Sequence, residues 1–263
     1  MKLILAIFLL TAVSCNNSQK AGSETMQMPG AYRMLSQTVN DGKKDTTVTT
    51  VKQLKIYTGD YMMYANVNPA DSVSGFGIGT YSADTGTVIE QVIYNAFDST
   101  ANASPVKFTL LIEKMPKGYK QVIKDMESGV QKFTLTEEYN MEGTTVKSPM
   151  DGAWKAVKFY TITGKDTIEN KIVQYKTYYD GHFIFGHTFT DSTNKLHTGM
   201  GYGTFEMTGA NKLKENLTAS NYYQIRGKSF DIDIVMNGTD EFKQTLIEPN
   251  GDTGVEIYQR LKK

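Results

Sequence analysis

Most of this chain is written twice. Gly30-Ala31-Tyr32-Arg33 recurs as Gly152-Ala153-Trp154-Lys155, and Lys52-Gln53-Leu54-Lys55-Ile56-Tyr57 as Val173-Gln174-Tyr175-Lys176-Thr177-Tyr178. Gly75-Phe76-Gly77-Ile78-Gly79-Thr80-Tyr81 recurs as Gly199-Met200-Gly201-Tyr202-Gly203-Thr204-Phe205. Tyr119-Lys120-Gln121 then matches Phe242-Lys243-Gln244, and Glu137-Glu138-Tyr139 matches Glu256-Ile257-Tyr258. The residue numbers give separations of 122, 121, 124, 123 and 119. Five matches in one order at nearly one spacing define a duplicated domain, because solenoid units run only about 20–50 residues. A chain of 263 residues has room for two domains of roughly 100–150 residues. The first repeat covers 29–141, a linker with Gly143 and Pro149 covers 142–150, and the second repeat covers 151–263.

Inside each repeat the hydrophobic period is two. Phe108, Leu110 and Ile112 alternate with Thr109, Leu111 and Glu113, and Phe230, Ile232, Ile234 and Met236 with Asp231, Asp233 and Val235. Val51, Gln53 and Lys55 alternate with Lys52, Leu54 and Ile56 in the same way. Such alternation predicts half-buried strands, and 16 Tyr with 12 Phe suit them. Asn40-Asp41-Gly42, Asp180-Gly181, Asn237-Gly238 and Asn250-Gly251 are hairpin turn signals. No helical stripe stands out in either repeat. The fold class is therefore all-β: two tandem small antiparallel up-and-down β-barrels of about eight strands each, closed so that no edge is left bare.

Charge excludes one class of partner. Lys+Arg and Asp+Glu balance at 28 each, without basic blocks, so no field recruits nucleic acid. The single cysteine, Cys15, forbids a disulfide within either repeat. It follows Lys2, the apolar run Leu3–Val13 and the small Ser14, the layout of a secretory signal peptide over residues 1–14. That run falls short of the roughly 20 residues that span a bilayer. Ala12-Val13-Ser14-Cys15 resembles the lipobox of bacterial lipoproteins, with Ala12 where Leu is commonest. The resemblance implies diacylation of Cys15 and a membrane attachment through lipid; the other reading is an ordinary signal peptide with Cys15 incidental. Residues 15–28 are polar and small, a flexible tether. Asn16 is not the Asp that retains lipoproteins at the inner membrane of enteric bacteria, and no acidic run follows. The implied location is the outer membrane, facing the periplasm.

Gly152-Ala153-Trp154 resembles the Gly-x-Trp opening of lipocalins. The remaining repeat motifs, among them Lys176-Thr177-Tyr178-Tyr179-Asp180-Gly181-His182-Phe183 and the glycine strand, resemble small lipocalin-like (calycin-like) domains of Bacteroidetes envelope proteins. The resemblance implies that Trp154 plugs one barrel end and that Arg260 packs across it. The first repeat has Tyr32 and Met141 at the matching positions. Asp45-Thr46-Thr47, Asp98-Ser99-Thr100 and similar triplets resemble an O-glycosylation signal of that group, and equally suit plain turns.

Chemistry-bearing candidates are few. Gly75, Gly77 and Gly79 run on as strand rather than into a helix, which excludes a phosphate loop. Their bare face requires either a large ring packed over it or a gap. His182 and His187 fall on opposite strand faces and have no counterpart in the first repeat, so with His197 they read as surface or loop residues and no metal site is predicted. No catalytic residue and no cofactor follow from any Ser/His/acid order or spare thiol. Glu90 corresponds to Glu215, and Glu137 to Glu256. They read either as solvent-facing or barrel-mouth carboxylates, with Lys55 or Lys176 for partners, or as a buried Glu–Lys pair facing a lumen and a polar ligand head group.

Two functions from different classes remain beside an improbable enzyme. One is a carrier that binds a small hydrophobic or amphipathic ligand in a barrel. The other is a structural module with filled barrels that meets envelope protein partners. A continuous pocket of about 300 Å³ or more, lined by aromatics, favours the carrier. The candidate pocket is Tyr175, Tyr178, Phe183, Phe185, Tyr202, Tyr222 and Glu215, in the second repeat.

Overall fold

A computed structural model of the chain describes residues 27–67, 74–96, 105–128, 131–143, 146–248 and 250–263. Cys15, residues 1–14 and nearly all of the tether lie outside the described residues. The first repeat runs β1 (Gly30–Asn40), β2 (Asp45–Val48), β3 (Gln53–Tyr57), β4 (Tyr61–Asn66), β5 (Gly75–Asp84), β6 (Thr87–Asn95), β7 (Val106–Met115), β8 (Gly118–Ser128) and β9 (Gln131–Met141). The second repeats it as β10 (Gly152–Thr163), β11 (Asp166–Glu169), β12 (Val173–Tyr179), β13 (His182–Thr190), β14 (Leu196–Gly209), β15 (Lys212–Ser220), β16 (Ser229–Asn237), β17 (Glu241–Ile247) and β18 (Thr253–Arg260). A 3₁₀ turn, Tyr223–Ile225, joins β15 to β16.

Each repeat is a nine-stranded antiparallel sheet closed by pairing of its first and last strands, β1 with β9 and β10 with β18. The short β2 and β11 pair only with the far halves of β1 and β10, Gln37–Asn40 and Tyr160–Thr163. Eight strands therefore close each barrel. At 71% strand and 1% helix the chain is all-β. Consecutive strands join by tight turns: Asp180 and Gly181 take φ of 53° and 73°, the left-handed pair that a type I′ hairpin needs between β12 and β13.

Strand parity gives each barrel an inner and an outer face. In β12, Gln174, Lys176 and Tyr178 point inward, whereas Tyr175 and Thr177 point outward. β3 behaves alike and is buried at every position. The half-buried reading of that strand is thus corrected: Leu54 and Ile56, its apolar residues, face out of the barrel, and Gln53, Lys55 and Tyr57 face in.

Those outward apolar residues are buried because the barrels share a core. Leu54, Ile56, Met63, Phe76 and Ile78 of the first barrel cluster with Tyr175, Ile184, Met200 and Tyr202 of the second. Tyr94 lies 5.2 Å from Tyr175, ring centre to ring centre, and its hydroxyl bonds that of Thr188. The Phe76 ring lies against Gly186, where a Cβ would collide with it. Arg33 sits 5.5 Å above the Tyr202 ring and is held by two bonds to Glu142, at 2.5 and 2.7 Å. Corresponding strands of the two repeats face each other, as in the isologous interface of a homodimer.

Tyr175 and Tyr202 are thereby removed from the candidate pocket, since both point out of the barrel into this shared core. His182 is also corrected. It is buried at 4% exposure beside the linker, with Nδ1 at 3.0 Å from the Asp180 carbonyl and Nε2 at 3.8 Å from Glu142.

Candidate functional site

Both lumens carry the same polar constellation, set by the duplicated residues. In the first barrel Lys55 Nζ donates to Glu90 at 3.1 Å and to Gln121 at 3.3 Å, and the Tyr57 hydroxyl donates to the same Glu90 oxygen. In the second, Lys176 Nζ donates to Glu215 at 2.9 Å, Gln244 at 3.2 Å and Tyr178 at 3.3 Å, and Tyr178 donates to Glu215 at 2.5 Å. The pairs are deeply buried, with side-chain exposures of 4% and 5% in the first barrel and 6% and 8% in the second. The buried Glu–Lys reading is the one that the geometry supports; the solvent-facing reading is corrected. A buried ion pair needs further hydrogen bonds to offset desolvation, and the glutamines and tyrosines supply them. Burial drives the Tyr57, Tyr139, Tyr178 and Tyr258 hydroxyls well above the usual phenol range, reinforced by the neighbouring carboxylates, so they stay protonated donors.

The second carboxylate separates the two lumens. Glu137 accepts from Gln37 at 2.8 Å through one oxygen, and from Gln121 at 2.6 Å and Tyr139 at 2.9 Å through the other. At the position of Gln37 the second barrel has Phe159, paired with Glu256 as Gln37 is with Glu137. Glu256 accepts from Gln174 at 2.7 Å and from Tyr258, both at Oε2. Among the described residues no donor reaches its Oε1. Burial pushes the Glu256 carboxyl up, and Lys176 opposes the shift.

Above this floor the second barrel holds a cavity of about 290 Å³. Its walls are Phe159, Phe183, Phe185, Leu217, Phe230 and Ile232; His187, Tyr222, Gln224, Ile225 and Glu248 form its mouth. The 3₁₀ turn places Tyr222 over the barrel end, where its hydroxyl meets His187 Nε2 at 2.8 Å. Burial depresses the His187 imidazole to about 4, so it is neutral. The corresponding cavity of the first barrel is about 190 Å³ and more polar, with Tyr64 and Gln37 among its lining.

Of the residues predicted from sequence, Phe183, Phe185, Tyr222 and Glu215 line the cavity. Tyr178 lies beneath it, fully buried, edge-on to Phe205 at 5.0 Å. At the far end Arg260 stacks 4.0 Å from the Trp154 ring, and the indole donates to the Met150 carbonyl at 2.8 Å. In the first barrel a tyrosine cluster occupies that end, with Tyr32 4.9 Å from Tyr119. The glycine strand is packed rather than empty: a Cβ on Gly77 would come within 2.6 Å of the Tyr64 ring, and one on Gly201 within 2.7 Å of Phe185. Sequence reasoning missed Phe159, His187, Gln174 and Gln244 as site residues. Gln174 and Gln244 carried a readable signal, since both stand in matched motifs with Gln53 and Gln121.

Neither a family model nor a curated protein matches the chain. Among solved structures it is similar to a protein of unknown function from the DUF3598 family of Nostoc punctiforme. The identity is 11%, the match covers 89% of this chain and 96% of that one, and the TM-score is 0.27. So low a score carries no argument about function.

Proposed function

We propose that the chain is a non-enzymatic, lipid-anchored protein of a bacterial envelope that binds a small, partly apolar ligand in its second barrel. The carrying observation is the cavity of about 290 Å³ with aromatic walls, a charged floor and one open end, near the lower bound of roughly 300 Å³ for small-molecule pockets. An engineered apolar cavity of roughly 150 Å³ takes one benzene ring, so a body of about two rings or a short alkyl chain fits. The polar groups fix orientation and the apolar walls supply most of the affinity. Attachment through Cys15 and an outer-membrane position facing the periplasm rest on the lipobox resemblance and Lys2–Val13.

Mass spectrometry of the full chain, purified gently from its native host, tests the binding role. A stoichiometric small molecule that is lost when Phe159 and Phe185 are replaced by Trp supports it. A chain that carries nothing, and that binds none of a panel of apolar probes, returns the protein to the structural reading, with barrels that serve only as paired spacers. Labelled palmitate that enters Cys15→Ala as well as the natural chain would remove the anchor.

A further inference from the structure

Resting on that binding role, we infer that the second barrel takes amphipathic amines, with the ammonium group seated between Glu256 and Glu215 and the apolar body against Phe159, Phe183, Phe185 and Phe230. The inference follows from an inventory of the floor. Lys176 has three N–H donors, and all three are committed, to Glu215, Gln244 and Tyr178. It therefore has none to offer an anionic ligand. Gln174 Nε2 is spent on Glu256 and Tyr258. The unspent capacity is mainly acceptor: among the described residues no donor reaches Glu256 Oε1, and both bonds to Glu215 go to its Oε1. Among the described residues, Gln244 Nε2 is the one amide donor of the floor without a protein acceptor. Two carboxylates face one ammonium, as in the first barrel, so a cation entering the cavity meets net negative charge at the floor.

The first barrel shows what completion looks like. Gln37 brings a donor to Glu137 at 2.8 Å, and Gln121 brings a second at 2.6 Å. With Phe159 in place of Gln37, the second barrel has exchanged an internal donor for an aromatic wall. A bound ammonium restores the missing donor and brings a positive charge to the two carboxylates, and the phenyl faces add cation–π attraction. Burial, which pushes the Glu256 carboxyl up, makes that carboxylate a stronger acceptor for a cation than a solvated one would be.

The test uses three probes with one six-carbon chain, namely hexylammonium, hexanol and hexanoate, titrated calorimetrically into the full chain at neutral pH. Hexylammonium is expected to bind at least ~10-fold more tightly than hexanol, with hexanoate weaker than both. Glu256→Gln should bring hexylammonium and hexanol within ~3-fold of each other. Phe159→Gln, which supplies the donor of the first barrel and keeps every charge, should do the same, and so guards against a Glu256 variant that fails to fold. Hexanol and hexylammonium binding equally to the natural chain overturns the amine inference and leaves the carrier role standing. Tighter hexanoate, or an ammonium preference untouched by both variants, also overturns it. Binding of none of the three overturns both.

Discussion

The two lumens share an ion pair and differ in what surrounds it. Lys55–Glu90 and Lys176–Glu215 are equally buried, each with a tyrosine donor on the carboxylate. Around the first pair, Tyr64 fills space and Gln37 adds a donor to Glu137. Around the second, Phe159 and Phe185 leave apolar wall, and among the described residues no donor reaches Glu256 Oε1. The comparison teaches that the ion pair belongs to the fold and that the ring of residues above it is where the two barrels diverge. A pair retained in both barrels does not tell them apart; the single exchange of Gln37 for Phe159 does, and the proposed ligand site rests on it.

The largest effect should come from breaking the shared element. Lys176→Met leaves two buried carboxylates without a cation and is expected to cost about 3–5 kcal/mol in urea unfolding, and Lys55→Met should cost a similar amount. A loss confined to one barrel would mean that the pairs are not equivalent. Next come the rings. Phe183 is 1% exposed and stacked 6.0 Å from Tyr178, so Phe183→Ala should lose about 3–5 kcal/mol. Phe185→Ala, on the same cavity wall but only partly buried, should lose less and should weaken retention of any apolar probe. Equal losses would make the cavity wall ordinary core.

A third measurement uses pH, and His187 exists only in the second barrel. Its folded value of about 4 lies below the usual 6.5, so the unfolded chain protonates first as pH falls. The stability it contributes is complete above about 6.5 and lost progressively down to about 4, on the order of 3 kcal/mol. Glu256 is shifted upward and works in the opposite sense, gaining stability as pH falls through its own range. The difference in melting temperature between the natural chain and His187→Gln isolates the histidine, and an unchanged slope would show that it is solvated. The smallest effect is at the closed end, where Arg260→Met copies the first barrel. Loss of the stacking on Trp154 should cost roughly 0.5–2 kcal/mol and leave probe binding unchanged.

Much of this was legible in the chain, for reasons that vary with the residue. The duplication, the period-two strands and the Asp-Gly turns specify paired barrels because each can be read along the chain without knowing which strand face meets which neighbour. The face of a strand is not local. In β12 the sequence Gln174-Tyr175-Lys176-Thr177-Tyr178 alternates polar and aromatic residues ambiguously, and only the neighbouring barrel decides that Tyr175 is outside. Tyr202 misled for the same reason: its strand is buried on both faces, by the lumen and by the shared core. Lys176 and Glu215 could be paired by their counterparts in the first repeat, but no local pattern determined their burial. Phe159 was invisible because its meaning lies in a contrast with Gln37, outside the matched motifs.

The seam between the barrels has a consequence for biosynthesis. Phe76, Ile78, Met63 and Ile56 belong to the first repeat, yet their cover is supplied by Tyr175, Ile184, Met200 and Tyr202 of the second. A chain that emerges N-terminus first, at roughly 5–20 residues per second during synthesis, completes its first barrel while that cover is still unmade. For the interval that separates the two repeats, the nascent protein presents a sticky apolar face, built to be met by a near copy of itself. A second nascent chain carries the same face, but its Ala65 stands where Gly186 admits the Phe76 ring, so the second repeat is the better cover and the glycine helps keep pairing within one chain.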